Sequence, residues 1–141
     1  AGANGITVLG SAPEATLRLF IKVCKDNGML SMVDMLGVDD PLTVLRPLQN
    51  APDVIVLHRG RDEENYKDTL IQYRHINRVH AKFPSLISVA GGVDIKMARS
   101  AIFNGANIVV ANLVRPQDDW TGIATASGVQ AAARNFLETI A

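Results

Sequence analysis

Cysteine is almost absent from this sequence: Cys24 stands alone, so no internal disulfide can form and no C-x-x-C pairing is available for a metal. A reducing, cytoplasmic setting is the expectation. Charge of one sign is lacking too, because fourteen Lys and Arg balance fourteen Asp and Glu to a formal net charge of zero. Without a basic field to hold a phosphodiester backbone or an anionic bilayer, neither nucleic acid nor membrane is expected as a partner. No uncharged apolar run approaches the roughly 18 residues of a membrane span. Linkers, low-complexity tracts and charge runs are missing as well. With 141 residues, close to one typical domain, 1–141 is expected to form a single domain.

What the sequence has is core material, 48% of it apolar, arranged in a repeating pattern that excludes a disordered chain. Short β-branched or apolar runs bounded by Gly, Pro and Asp recur at residues 6–9, 30–35, 54–58, 86–90 and 108–111. They read as five buried strands. Between them the spacing turns helical: Leu17, Phe20, Ile21 and Cys24; Leu42, Leu45 and Leu48; Leu70, Ile71, Ile76 and Val79; Ile95, Ala98 and Ile102. The tail adds Val129, Ala132, Phe136, Leu137 and Ile140. Ala12-Pro13-Glu14 and Asp40-Pro41 read as helix starts, and Gly28 and Gly105 as helix stops. Alternating strands and helices, with strands apolar on both faces, predict an α/β fold whose parallel strands are covered on both sides.

Two architectures fit that alternation. The 141 residues over five units give about 28 each, close to the roughly 31 per unit of a 250-residue (β/α)8 barrel. A five-stranded doubly wound sheet fits the length equally well. An internal comparison favours the barrel. Phe103-Asn104-Gly105-Ala106-Asn107-Ile108 ends one helix and starts a strand, and Ala1-Gly2-Ala3-Asn4-Gly5-Ile6 repeats that design without a helix before it. A glycine that stops a helix has that role only where a helix precedes it, so the expectation is a portion of a larger barrel, about five βα units long.

Three stretches carry chemistry. The third strand ends in His58-Arg59-Gly60-Arg61-Asp62-Glu63-Glu64, at the carboxyl end of a parallel strand, where α/β folds bind ligands. His58 suits proton transfer near neutral pH, and Arg59 or Arg61 suits a phosphate or an enolate. The bland alternative is a surface loop with salt bridges. The fourth strand runs into Ala90-Gly91-Gly92-Val93-Asp94, where paired glycines let the backbone approach a ligand and Asp94 suits a helix cap. A phosphate fits such a turn, and so does a plain loop. Asp34 sits in the apolar context Met32-Val33-Asp34-Met35, where a bare carboxylate is expensive unless a ligand, a cap or a neighbouring strand satisfies it. His75 and His80 lie among Arg74, Asn77, Arg78 and Lys82 and read as solvated helix residues, whereas Cys24 reads as core. Gly10-Ser11 reads as a helix start, and Trp120 is compatible with a lid or an interface anchor.

Taken in order, Gly2-Ala3-Asn4 with Thr7-Val8-Leu9-Gly10, Met32-Val33-Asp34-Met35-Leu36, Pro52-Asp53-Val54 with His58-Arg59-Gly60 and Asp62-Glu63-Glu64, Val89-Ala90-Gly91-Gly92-Val93, and Gly105-Ala106-Asn107-Ile108-Val109-Val110 resemble 3-hexulose-6-phosphate synthase. The likeness extends over essentially the whole chain. That family belongs to the orotidine-phosphate decarboxylase superfamily, and the resemblance is to its archaeal type, often fused to a formaldehyde-activating domain. It implies a (β/α)8 barrel, of which this chain is the fourth to eighth units. It also implies aldol addition of ribulose 5-phosphate to formaldehyde, the reaction of formaldehyde fixation in the ribulose monophosphate pathway, with Mg²⁺ polarising the sugar oxygens. By position, the resemblance makes His58 the proton-handling residue, has Gly91 and Gly92 hold the phosphate, lines the cavity with Asp34 and has Asp62 orient the loop.

Two departures follow from the same comparison. The family's Asp-x-Lys-x-x-Asp motif, which binds metal and manages protons, is absent from these 141 residues, so the chain alone is expected to lack the metal site and to be inactive. Where the family's last phosphate turn presents Gly-Arg, this sequence has Ala111-Asn112, with Arg115 three residues on and Pro116 restricting it. A decarboxylase of the same superfamily, acting on 3-keto-gulonate 6-phosphate, fits His58-Arg59-Gly60-Arg61-Asp62 as an alternative. A non-catalytic, oligomerising barrel fragment is the other, since an open sheet edge favours pairing, and a homodimer is expected.

Overall fold

In a computed structural model that describes residues 2–64 and 73–140, each of the five expected strands forms: β1 (Gly5–Leu9), β2 (Leu30–Asp34), β3 (Val54–His58), β4 (Leu86–Ala90) and β5 (Ile108–Val109). All are parallel, and they pair in the order β1-β2-β3-β4-β5. A doubly wound sheet reverses direction at a switch point. Here every strand is added on the same side as the last, as around a barrel, so pairing order decides what unit length leaves open. β5 stops short of the expected run, although the Val110 N–H still donates to the Val89 carbonyl at 2.9 Å.

A helix follows every one of these strands: α1 (Glu14–Asp26), α2 (Pro41–Leu45), then α3 (Arg61–Glu64) with α4 (Tyr73–His80), α5 (Ile95–Phe103) and α6 (Val129–Ile140). Asp40 caps α2 by accepting the Leu42 N–H at 3.0 Å, with Pro41 as the first helical residue, and Asp94 caps α5 through the Met97 N–H at 2.7 Å. Gly28 and Gly105 stop their helices at φ of 65° and 99°, a region that other residues enter only with strain. Not foreseen is a parallel pair of two-residue strands, β6 (Leu113–Val114) and β7 (Ile123–Ala124), inserted before α6.

Because side chains alternate along a strand, each strand feeds two layers. Val33, Ile55, Leu57, Ile87 and Val89 face the helices and join the main core with Leu17, Leu42, Leu45, Ile76 and Val79. Val54, Val56 and Ala90 form a smaller cluster on the other, concave face, with Met32 and Ile108 against it. Cys24 is fully buried on the inner stripe of α1, as its spacing predicts, and burial raises its thiol pKa. Leu70 and Ile71 lie outside the described residues. On α5 the buried stripe is Met97, Ala98 and Ala101, while Ile102 points partly to solvent.

His75 is a correction. It is only 6% exposed, within the core that its neighbours Ile76 and Val79 enter, and its Nδ1 lies 3.9 Å from Asp40. Arg78 completes the group with a 3.0 Å ion pair to Asp40. Burial, then the nearby Arg74, push the His75 pKa below its ordinary 6.5, against the pull of Asp40. A buried histidine held neutral binds fewer protons than it does when unfolded. The fold therefore keeps its full stability above pH 6.5 and loses some as the pH falls through that value. The urea midpoint is expected to drop between about pH 7.5 and about pH 5.5, and His75→Gln to flatten that slope.

At the opposite, amino ends of the strands, Asp53 accepts hydrogen bonds from the Ser31 N–H at 2.8 Å and the Ser31 hydroxyl at 2.7 Å, locking β2 to β3. These bonds hold the Asp53 carboxyl below its ordinary 3.8, so they stabilise above that pH and are lost under acid. Asp53→Ala is expected to lower stability by about 1 kcal/mol, since the carboxylate remains solvent-exposed, as measured by urea unfolding at neutral pH.

Candidate functional site

Strand parity brings the candidate residues together. Asp34 is in phase with Met32, and His58 with Val54 and Val56, so both side chains project from the concave face at the carboxyl ends of adjacent strands. There the His58 Nδ1 lies 2.9 Å from Asp34 Oδ2 and 3.1 Å from Oδ1. The same carboxylate accepts the Leu36 N–H at 3.0 Å, which fixes its orientation. The side chains are 30% and 16% exposed, so the imidazole is held by a largely covered carboxylate while remaining reachable. An imidazole that donates its Nδ1 proton to a carboxylate presents its Nε2 lone pair to whatever approaches.

The second part of the site sits one strand over. His58 pairs with Ala90, and the chain then turns through Gly91 and Gly92 at φ of 92° and 57°. Gly91 is there for two reasons. Its φ lies in the left-handed region, and a Cβ on it would stand 2.0 Å from the Arg59 carbonyl oxygen. His58 and the diglycine turn therefore share one end of the sheet, where parallel strands of this class present their ligand sites.

The remaining candidates take separate places. Arg59 is buried, with Nη2 donating to the Gly92 carbonyl at 3.1 Å. Arg61 stands on α3, and its guanidinium carbon lies 3.5 Å above the centre of the Trp120 ring, a cation–π contact joining the β3 loop to the segment before β7. Asp62 is exposed on α3, and Glu63 makes the loop contact, accepting the Gly60 N–H at 3.3 Å. Ala111 packs partly against the main core, and the Asn112 carbonyl accepts the Ile123 N–H at 2.8 Å. Gly122 serves that bond, because a Cβ on it would meet the Asn112 oxygen at 2.5 Å. The Trp120 contact escapes sequence reading, since the two partners are 59 residues apart and neither loop has a periodic pattern.

Among the described residues no three His, Cys, Asp or Glu side chains converge. A hard divalent cation needs several oxygen donors, and one carboxylate already engaged with an imidazole does not supply them, so the described residues do not fit a Mg²⁺ site. No described helix is long and apolar enough to cross a membrane.

Comparison with known proteins gives a consistent picture. No family model matches the chain. It is 41% identical over 110 residues to the bifunctional enzyme Fae/Hps of Methanothrix thermoacetophila, a match covering 78% of this chain and 28% of that protein. To the bifunctional enzyme Fae/Hps of Archaeoglobus fulgidus it is 32% identical over 140 residues, covering 97% of this chain and 33% of the relative. The chain thus spans about a third of the length of the curated relatives it matches. Among solved structures, one of 3-hexulose-6-phosphate synthase superposes with a TM-score of 0.72 at 26% identity, covering 99% of this chain and 63% of that one. The 3-hexulose-6-phosphate synthase of Salmonella typhimurium shares the fold, with a TM-score of 0.74 at 24% identity over 62% of its length.

Proposed function

As a relative of the 3-hexulose-6-phosphate synthases that spans five of their strand–helix units, the chain carries, we propose, the proton-handling and phosphate-holding half of an aldolase that joins formaldehyde to ribulose 5-phosphate. The observation that carries this reading is the convergence of the Asp34–His58 pair and the Gly91–Gly92 turn at one end of adjacent parallel strands. His58 Nε2 takes a proton from C1 of the sugar, giving an enediolate. C1 then bonds to the formaldehyde carbon, and the imidazolium returns the proton to the formaldehyde oxygen, so the proton count closes. Asp34 holds the imidazole in the tautomer this requires and stabilises its charged form. The backbone at Gly91 and Gly92 approaches the phosphate as no side-chain-bearing residue could, and Arg61, on the loop after His58, supplies a cation to it.

The Mg²⁺ that the resemblance implies finds no donor set among the described residues, and no step is assigned to it. The chain alone is expected to bind its sugar phosphate without turning it over. Calorimetry with ribulose 5-phosphate and with ribulose tests this directly. Binding that depends on the phosphate supports the reading, and equal or absent binding of the two overturns it. Adding the segment that precedes the matched region in the A. fulgidus relative in trans and following formaldehyde consumption tests the aldolase chemistry, and product analysis with 3-keto-gulonate 6-phosphate tests the decarboxylase alternative.

A second copy is the proposed partner. β1 is an edge strand whose Ile6 and Leu9 are 37% and 49% exposed, a surface that favours pairing. Sedimentation is expected to give a dimer; a cooperatively folded monomer at all concentrations would count against it.

A further inference from the structure

Arg59 follows His58 and still donates its N–H to the Ala90 carbonyl at 3.1 Å, so it continues the pleat with its side chain on the face opposite His58. Arg59 is 9% exposed, and its guanidinium donates to the Gly92 carbonyl at 3.1 Å. Resting on the reading of Gly91–Gly92 as the phosphate turn, we propose that Arg59 is a positioning residue: it orients and polarises the turn's peptides from beneath, and the phosphate binds to the backbone it sets.

One planar peptide transmits the effect. In a trans peptide the C=O and the following N–H point in opposite directions, so a Gly92 carbonyl drawn down to Arg59 aims the Val93 N–H away from the guanidinium. A charged donor on the carbonyl is stronger than a neutral one, and it makes the N–H of the same peptide a better donor in turn. Two glycines at positive φ otherwise leave this turn with unusual freedom. Arg59 removes that freedom. The backbone of Arg59 does so a second time, because its carbonyl closes against Gly91 where a Cβ would stand at 2.0 Å. The arginine thus couples the strand that ends in His58 to the turn, so that proton transfer and anion binding keep a fixed relation across β3 and β4.

The test is titration of the chain with inorganic phosphate, followed by the backbone amide shifts of Gly91, Gly92 and Val93, for the wild type, Arg59→Lys and Arg59→Met. The expected result is saturable shifts in the wild type and roughly tenfold weaker binding in both variants, the lysine keeping the charge without the planar fork. Methylguanidinium is expected to restore affinity to Arg59→Met while leaving its unfolding midpoint unchanged, which a merely structural role would not produce. Wild-type affinity in Arg59→Lys overturns the proposal, since charge alone would then suffice. An Arg59→Lys chain that no longer folds overturns it as well, by making Arg59 a core residue. Absence of phosphate binding in the wild type instead removes the phosphate turn itself, and the positioning role falls with it.

Discussion

Gly91→Ala is expected to cost about 3 kcal/mol or more of folding stability, an unusually large loss for adding one methyl group. Two penalties coincide there. The position holds φ at 92°, and the new Cβ would stand 2.0 Å from the Arg59 carbonyl oxygen and 2.9 Å from its carbonyl carbon. Backbone atoms in a sheet cannot step aside as a flexible side chain can, so β3 and β4 must separate at their carboxyl ends. Gly28→Ala is the matching control: its φ is 65°, yet nothing lies within 4 Å of a Cβ placed on it. There only the left-handed strain operates, about 1 kcal/mol. Urea unfolding of the two variants separates crowding from strain, and equal losses would show that the close approach to Arg59 contributes nothing.

His58→Gln is expected to reduce kcat by about 10²- to 10⁴-fold, the range for losing a positioned acid–base group, in a preparation supplemented with the relative's preceding segment. Affinity for the sugar phosphate should hold, because the imidazole projects from the concave face while the proposed phosphate turn, Gly91–Gly92, lies beyond β4. Asp34→Asn probes the same step from behind. An amide in place of the carboxylate no longer stabilises the imidazolium and can donate to Nδ1, which moves the ring proton to Nε2, where the reaction needs a lone pair. The rate should fall by a comparable factor with little change in KM. If Asp34→Asn leaves the rate intact, the 2.9 Å contact is a structural tie between β2 and β3 and nothing more.

The strands were legible because parallel strands packed on both faces leave nearly uninterrupted apolar runs, and Val54 to Leu57 is buried at every position. Strand order was not legible from periodicity, since both candidate architectures repeat at nearly the same unit length. The caps at Asp40 and Asp94 act through a side chain two or three residues from its target, so local sequence revealed them. His75 misled because Arg74, Asn77 and Arg78 surround it in sequence, yet it stands next to Ile76 and four residues before Val79, on the stripe that enters the core. The Asp34–His58 contact depends on register: 24 residues of chain separate the two, and only the pairing of Asp34 with Val56 places His58 within reach. β6 and β7, at two residues each, are too short for any alternation to show.

Trp120 is the chain's one tryptophan, and the guanidinium of Arg61 rests on its ring. All indole emission from this protein therefore originates at a single spot, beside a cation that an incoming anion would attract. If Arg61 serves a bound phosphate as proposed, its departure from the ring would change the brightness and colour of that emission together, and titrations would need no added dye.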